Sequence, residues 1–425
     1  MTERLYFDQA YATGRTTTFE AAGARLSALE GKPSLVLPRT LFYPEGGGQL
    51  GDAGTIVIDA LTIVVRDTQV DGAGTIHHLL AEAPSAALTE RFARDAFEPC
   101  TVRGAIDGER RTDQTLHHTA QHALSRALAE EAEATTVSAR LGAVTCTIDV
   151  AKPSLTDADV HRAEDLVNAV VMSNVVVRAF FPSEEELAGL ELRKKPNMEK
   201  AAAGVRVVAI ENFDMTPCGG THCAATGEIG QIRIIATEKY KGMCRVTFVA
   251  GKRALLDGRA RHQALSLAAA ELTCGPLDVT SGIQKLRADL KASRAQGEGM
   301  RTEAVDLVAA ALRPTSNEVS PRLVAICRPQ DDLVFSRALA ARLARDPGVL
   351  ALCGAIDGDT GELLVVLQRA EGVAFDCGAH ARSASQAKQG RGGGRPERAE
   401  ARFPKGTPFE ALEKDAKTAL SKEFL

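Results

Sequence analysis

The chain has 425 residues, 44% hydrophobic and 25% charged, with a net charge of −4, which places it among globular proteins of roughly two to four domains. It contains no run of about 18 apolar residues, so a membrane-spanning helix is excluded. The charge excludes a chain basic throughout and leaves room for a local basic patch. Nine cysteines, an odd number without disulfide-like spacing, follow an opening, MTERLYFDQAYATG, that lacks a basic-then-apolar pattern. Reduced thiols in a cytoplasmic protein are therefore expected, where a cysteine near histidines suggests a metal ligand.

Residues 34–80 break repeatedly at Pro, Gly and Asp-Gly with β-branched runs between, the pattern of a small β-barrel or sandwich. One or two further strands are expected from the first 30 residues. A helix follows near Thr112, with Leu116, Ala120, Ala123, Leu124, Ala127 and Leu128 as its apolar stripe and Thr112 or Asp113 as its cap. Val144, Cys146, Ile148 and Val150 alternate as a strand, and Thr156 with Asp159 forms a capping box opening a second helix. Strands are predicted over 175–181, 205–210, 230–236 and 244–250. Residues 252–312 read as two long helices with a narrow stripe at Ile283, Leu286 and Leu290, a spacer and a candidate homodimer seam. After Pro314 the pattern is strand, helix, strand, with a glycine- and arginine-rich loop near residue 390. The expected fold class is α+β multidomain: a β-barrel domain with a Gly-rich loop over 1–100, a metal-binding domain over 101–251, a helical spacer over 252–314 and a small α/β domain over 315–425.

Two fragments point to a metal. In HTAQH, His118 and His122 lie four apart on the predicted helix, so both imidazoles project from one face. In CGGTH, Cys218 and His222 are also four apart, and two glycines allow a tight turn. Three histidines and a cysteine suit one tetrahedral Zn²⁺ per chain. His117 lies about 100° around the helix and is expected to be exposed or to support a ligand. Cys223 is expected to point away from the group. No Glu follows the first His, so the HExxH protease pattern is absent. Asp214, four before Cys218, is either a partner of a ligand imidazole or a surface turn residue.

RTDQTLHHTAQH and CGGTHCAATGEIG resemble the two zinc motifs of the alanyl-tRNA synthetase editing domain, and FYPEGGGQLGDAG resembles its glycine-rich loop. GRGGGRPERAEA resembles the signature of the C-terminal DHH-associated domain. Only about 40 residues precede FYPEGGG, too few for an aminoacylation domain at the usual domain size. The chain is thus similar to the freestanding alanyl-tRNA editing proteins of the AlaX family, in the long form. The resemblance implies a trans-editing hydrolase that deacylates Ser-tRNA(Ala) and Gly-tRNA(Ala) without aminoacylation activity. It also implies zinc on His118, His122, Cys218 and His222. Such a second site is needed because an alanine pocket discriminates poorly against serine and glycine. Four bound ligands would make a closed, positioning site; a loose ligand would leave a position for water or the substrate amino group. Attack by an ordered water, without a covalent intermediate, is expected.

Gln49, with Gly46, Gly47 and Gly48 before it, is the candidate to orient the aminoacyl group or terminal adenosine. Thr136 and Ser138 are candidates to sense the serine hydroxyl. Gln121 stands where the synthetase motif has Thr, which bears on serine-versus-glycine preference. Between Arg382 and Lys405 there are seven basic and two acidic residues. Lys388, Arg391 and Arg395, with Gly392, Gly393 and Gly394, form a candidate tRNA backbone contact. A non-catalytic zinc-containing tRNA-binding protein is the alternative. A DHH-type phosphodiesterase is disfavoured, because Leu116-His117-His118 and Ile76-His77-His78 stand where an Asp-His-His motif is needed.

Overall fold

The computed structural model describes residues 2–8, 16–92, 98–196, 204–312 and 321–422. The chain divides into two compact units, Met1–Leu267 and Ala268–Leu425.

The first unit opens with six antiparallel strands: β1 (Thr18–Leu29), β2 (Lys32–Val36), β3 (Gly54–Ile58), β4 (Leu61–Val70), β5 (Ile76–Leu80) and β6 (Glu98–Ile106). They close into a barrel in the order β1-β2-β5-β4-β3-β6. Strand alternation drives the closure: Ile56 and Ile58 of β3 point inward to meet Phe19, Leu35, Phe42 and Val102, while Val57 between them stays partly exposed.

Helix α1 (Gly108–Ala132) leaves the barrel directly. Its cap is Asp107, whose carboxylate accepts the Arg110 N–H at 3.0 Å. Thr112 and Asp113 therefore lie inside the helix, which starts earlier than expected because Asp107-Gly108 already supplies the cap and turn. The C-terminal half of α1 buries Leu124, Ala127 and Leu128 against Cys146, Ile148, Val246 and Phe248. Those residues belong to a four-stranded sheet ordered β12-β13-β8-β7, made of β7 (Thr136–Leu141), β8 (Cys146–Val150), β12 (Ile232–Tyr240) and β13 (Met243–Ala250). Val144, predicted on the same buried face, lies before β8 and is exposed. Helix α2 (Asp157–Met172) begins with the Thr156–Asp159 capping box. A three-stranded sheet, β9 (Val177–Phe180), β10 (Val207–Ile210) and β11 (Asp214–Pro217), carries the chain into the CGGTH turn. Strand β11 has little signal in the sequence, because its two end residues, Asp214 and Pro217, are poor strand formers; it exists through its pairing with β10, Val207 facing Pro217 and Ile210 facing Asp214.

The predicted spacer comprises α3 (Gly251–Glu271) and α4 (Val279–Ala311). The division between units falls within α3, at Leu267 and Ala268. The second unit packs α4 and α5 (Leu333–Leu343) together through Val305, Ala309, Leu339 and Leu343. Its five-stranded sheet runs β14-β15-β16-β18-β17, from β14 (Arg322–Cys327), β15 (Val349–Ile356), β16 (Leu363–Arg369), β17 (Arg391–Gly394) and β18 (Arg398–Phe403). Helices α6 (Cys377–Ala387) and α7 (Phe409–Lys422) cover the other core, through Cys377, Ala381, Leu412 and Ala416. The stretch expected to be a glycine- and arginine-rich loop is an edge strand. Gly392 and Gly394 pair with Ala401 and Ala399 of β18, so the backbone hydrogen-bonds to its neighbour on one side.

Candidate metal centre

The N-terminal half of α1 is buried but polar: Arg111, Gln114, Thr115, His118, Thr119, Gln121 and His122 are all enclosed. Buried polar groups need partners, and here they come from the barrel and from the CGGTH turn. Arg111, fully buried, forms an ion pair with Asp52 and donates to the Leu41 carbonyl at 2.7 Å. This anchors α1 to the barrel about two turns before His118.

His118, His122, Cys218 and His222 converge, with one ligand atom from each lying within 4.8 Å of all the others. The Nε2 atoms of His118 and His222 each lie 3.4 Å from Cys218 Sγ. Tetrahedral Zn–N and Zn–S bonds place N and S about 3.5 Å apart, so the donor set fits zinc in both chemistry and spacing. The three histidines are buried, and Cys218 is partly exposed as a residue.

Two of the three imidazoles have a hydrogen-bond partner at Nδ1. His118 Nδ1 lies 2.8 Å from Gln49 Oε1. An amide oxygen only accepts, so Nδ1 carries the proton and Nε2 presents its lone pair to the group. His222 Nδ1 lies 3.2 Å from Thr119 Oγ1, which spends its own proton on the Thr115 carbonyl at 3.0 Å. The same tautomer results. His122 Nδ1 has no hydrogen-bond partner and lies 3.7 Å from Asp214 Oδ2. Asp214 is buried, held by Arg193 Nε at 2.6 Å and by Thr216 Oγ1 at 3.0 Å, so of its two expected roles the structure excludes the surface turn.

Burial holds all three histidines neutral. It pushes His118 and His222 well below the usual imidazole range, aided by the neighbouring histidines. It pushes His122 down to about 3, aided by Arg193 and Arg206. Burial also raises the Cys218 thiol, against the Gly220 N–H and the Arg206 guanidinium, which favour the thiolate. Neutral imidazoles are ready ligands; the thiol must lose its proton to become one.

Gln49 is fully buried. Besides His118, its Oε1 accepts the Thr221 N–H at 3.1 Å, and its Nε2 donates to Thr221 Oγ1 at 2.9 Å. Both ends of the carboxamide are taken by protein groups, so Gln49 positions His118 and the CGGTH turn rather than reaching the aminoacyl group itself. Gly48 has φ +87°, and a Cβ there would lie 2.5 Å from the Ala139 carbonyl oxygen; Gly47 faces open space. Gly220 is fixed by close approach, since a Cβ would lie 2.1 Å from His118 Cε1 and 2.9 Å from Gln49 Oε1.

The other predicted residues separate. Gln121 Nε2 donates to Ser125 Oγ at 2.8 Å, which also receives Thr136 Oγ1 at 2.8 Å. Ser138 is exposed and donates to Asp149 at 2.8 Å. Among the described residues, neither Thr136 nor Ser138 hydrogen-bonds to any of the four converging side chains. His117 is not exposed: it is fully buried, with Nδ1 on the Asp113 carbonyl at 2.7 Å and Nε2 accepting the Ala250 N–H at 3.2 Å, which ties α1 to β13. Cys223 stays outside the group. A Ser34–His77–Asp71 chain does form in the barrel wall, at 2.9 and 3.3 Å. Ser34 has no exposed surface and cannot meet an ester. Arg193 and Arg206 were not found from the sequence; a lone arginine in the segments before β10 carries no spacing signal.

In the second unit, Arg391 and Arg395 are exposed, and neither forms an ion pair among the described residues. Lys388 is paired with Asp415 at 3.0 Å.

The profile of the family described as "Threonyl and Alanyl tRNA synthetase second additional domain" matches residues 205–247, the stretch holding Cys218 and His222. The chain is 33% identical over 261 residues to the alanyl-tRNA editing protein AlaX-L of Pyrococcus horikoshii, covering 60% of this chain and 59% of that protein. Over that stretch the chain is similar to AlaX-L. The profile described as "tRNA synthetases class II (A)" matches residues 2–91, which include Gln49. The chain is also 31% identical over 327 residues to the alanine–tRNA ligase of Halorubrum lacusprofundi, covering 72% of this chain and 33% of the ligase. The chain therefore spans about a third of the length of that ligase. The solved C-Ala domain of Aquifex aeolicus alanyl-tRNA synthetase covers 23% of this chain and 90% of its own at 20% identity, with a TM-score of 0.22, too low to bear on the fold. No helix among the described residues is long and apolar enough to cross a membrane.

Proposed function

We propose that this AlaX-like chain is an aminoacyl-tRNA hydrolase that removes serine, and glycine, from mischarged tRNA(Ala), acting in trans without aminoacylation. The observation that carries this reading is the convergence of His118, His122, Cys218 and His222 beside the glycine-rich GGGQ turn. Those four residues would hold one zinc ion. Bound there, zinc would supply fixed positive charge that anchors the aminoacyl group. The chain's own residues do the rest. Gln49 and Thr119 keep His118 and His222 in the tautomer that faces the site. The hydrogen-bonded run Gln121–Ser125–Thr136 begins one residue before His122 and would read the serine hydroxyl. A methyl group cannot enter that run, so alanine would be spared. Water would attack the ester directly; Ser34 cannot serve as a nucleophile. Arg391 and Arg395, with Gly392, Gly393 and Gly394, would contact tRNA phosphates. Lys388, already paired with Asp415, would add less.

The four donors could also close a purely structural zinc site, which favours a non-catalytic tRNA-binding protein as the second reading. Hydrolysis rates on Ser-, Gly- and Ala-tRNA(Ala), measured side by side, separate the two. Serine release with Ala-tRNA(Ala) left intact is expected. Zinc-loaded protein that hydrolyses none of the three would favour the second reading. Cys218→Ala is expected to lower zinc content and hydrolysis together, and full activity in metal-free protein would remove the metal from the scheme.

A further inference from the structure

Aromatic residues are scarce in this chain, with 14 Phe, 4 Tyr and no Trp, yet four of them gather beside the CGGTH turn. Tyr6 meets Phe7 and Tyr43 edge to face, with ring centroids 4.9 and 5.3 Å apart, and Phe7 meets Phe181 at 5.9 Å. Tyr6 and Tyr43 are buried, and packing accounts for them. Phe7 is only half-buried and Phe181 is 50% exposed. Phe7 packs against the Tyr6, Tyr43 and Ile76 cluster on one side and, with Phe181, leaves the rest of its surface in water.

Two guanidiniums lie over the Phe7 ring, Arg206 at 5.3 Å and Arg4 at 5.7 Å from its centroid. Arg206 is 6% exposed, and its Nη1 donates to the carbonyls of Cys218 and Gly220, both at 2.9 Å. Its Nε has no partner. Its titratable neighbours are Cys218, Tyr43 and Tyr6, all held in their neutral forms by burial. The turn that carries Cys218 and His222 is thus joined, through one arginine, to a partly exposed aromatic face with positive charge on it.

Aromatic faces flanked by arginine are how proteins hold unpaired nucleotides: bases stack on the rings while cations meet the phosphates. We propose that Phe7 and Phe181, with Arg4 and Arg206, form the platform on which the unpaired 3′ nucleotides of the aminoacylated RNA stack. This rests on the hydrolase reading above and assigns that site its RNA-holding surface. The ester linkage sits on the terminal ribose, so a platform joined to the Cys218 turn delivers the scissile bond to the converging side chains.

The test uses the full-length, zinc-loaded protein and an acceptor-stem RNA with 2-aminopurine as its 3′-terminal base and serine amide-linked to the 3′ end. Wild-type protein is expected to bind this RNA and quench its fluorescence. Phe181→Ala and Phe7→Leu are each expected to weaken binding about fivefold or more, abolish quenching and raise KM for Ser-tRNA(Ala) while kcat holds. Phe181→Trp should restore all three readouts. Zinc content should stay at one ion per chain. Unchanged quenching and KM in Phe181→Ala, with the wild type still hydrolysing Ser-tRNA(Ala), would overturn the platform alone. Loss of binding that comes with loss of zinc would reveal a packing defect and overturn it too. A wild type that neither binds nor hydrolyses would overturn both the platform and the hydrolase reading.

Discussion

The chain contains two glycine-rich runs, Gly46–Gly47–Gly48 before Gln49 and Gly392–Gly393–Gly394 after Arg391, and they use the missing side chain in opposite directions. In the first, Gly48 presses against the Ala139 carbonyl of β7, and the turn sends a polar side chain, Gln49, into full burial against His118. In the second, a Cβ on Gly392 would lie 2.5 Å from Ser385 Oγ and 2.6 Å from Ala401 Cβ. There the glycines let α6 and β18 close in, and Arg391 and Arg395 are left facing water. The second run is an edge strand rather than the irregular loop its composition suggests. One brings a hydrogen-bonding group inward; the other leaves charge outside.

Substitutions can break this contrast, beginning with the largest effect. Gly220→Ala inserts a Cβ into the His118 ring and is expected to abolish zinc binding, read as metal content of the purified protein falling below about a tenth of an ion per chain. Retained zinc would show that His118 can move aside. Gly48→Ala combines a positive φ with a backbone collision and is expected to cost about 2–4 kcal/mol in urea unfolding. Gly47→Ala, with φ +61° and open space around it, should cost about 1 kcal/mol. Gln49→Ala should weaken zinc affinity about 10–100-fold, the usual effect of removing a ligand's outer partner, seen by competition with a chelator. In the second unit, Arg391→Ala with Arg395→Ala should leave zinc content unchanged. It should weaken tRNA binding and flatten its salt dependence by about one unit of log–log slope per arginine.

Acid should weaken the barrel through one buried histidine. His78 is fully buried, its Nδ1 donating to the Leu35 carbonyl at 2.8 Å and its Nε2 facing Thr40 Oγ1 at 2.7 Å, and burial lowers it to about 4. The unfolded chain takes up a proton near pH 6.5 that the folded chain refuses until about pH 4. Stability from this residue is complete above the higher value and falls with pH through that window, by up to about 3 kcal/mol. His78→Gln, followed by urea unfolding at pH 7 and pH 4.5, should reduce the difference between the two.

Local patterns were readable and distant pairings were not. His118 and His122 declare themselves because four residues bring side chains back to one helix face, and Thr156 with Asp159 because a capping box spans three. The convergence of His118 and His122 with Cys218 and His222, by contrast, requires β11, a strand of Asp, Met, Thr and Pro that exists only through its register with β10. Asp214 and Arg193 meet across 21 residues and Gln49 and Thr221 across 172, separations at which composition has no period to follow. His117 misled for a related reason. Its angle from His118 is right, but the side it faces is covered by β13, and no property of α1 alone reveals that cover.

The buried pairing of Arg111 with Asp52 has a consequence for dissection. Asp52 also accepts the Tyr43 N–H at 2.7 Å, three residues before Gly46. Splitting the polypeptide at the end of β6 would strand a carboxylate inside one fragment and a guanidinium inside the other, each without its counter-ion and each expensive to enclose. Barrel and histidine helix are therefore expected to behave as one indivisible cassette, melting in a single step and transplantable into another host only as a whole.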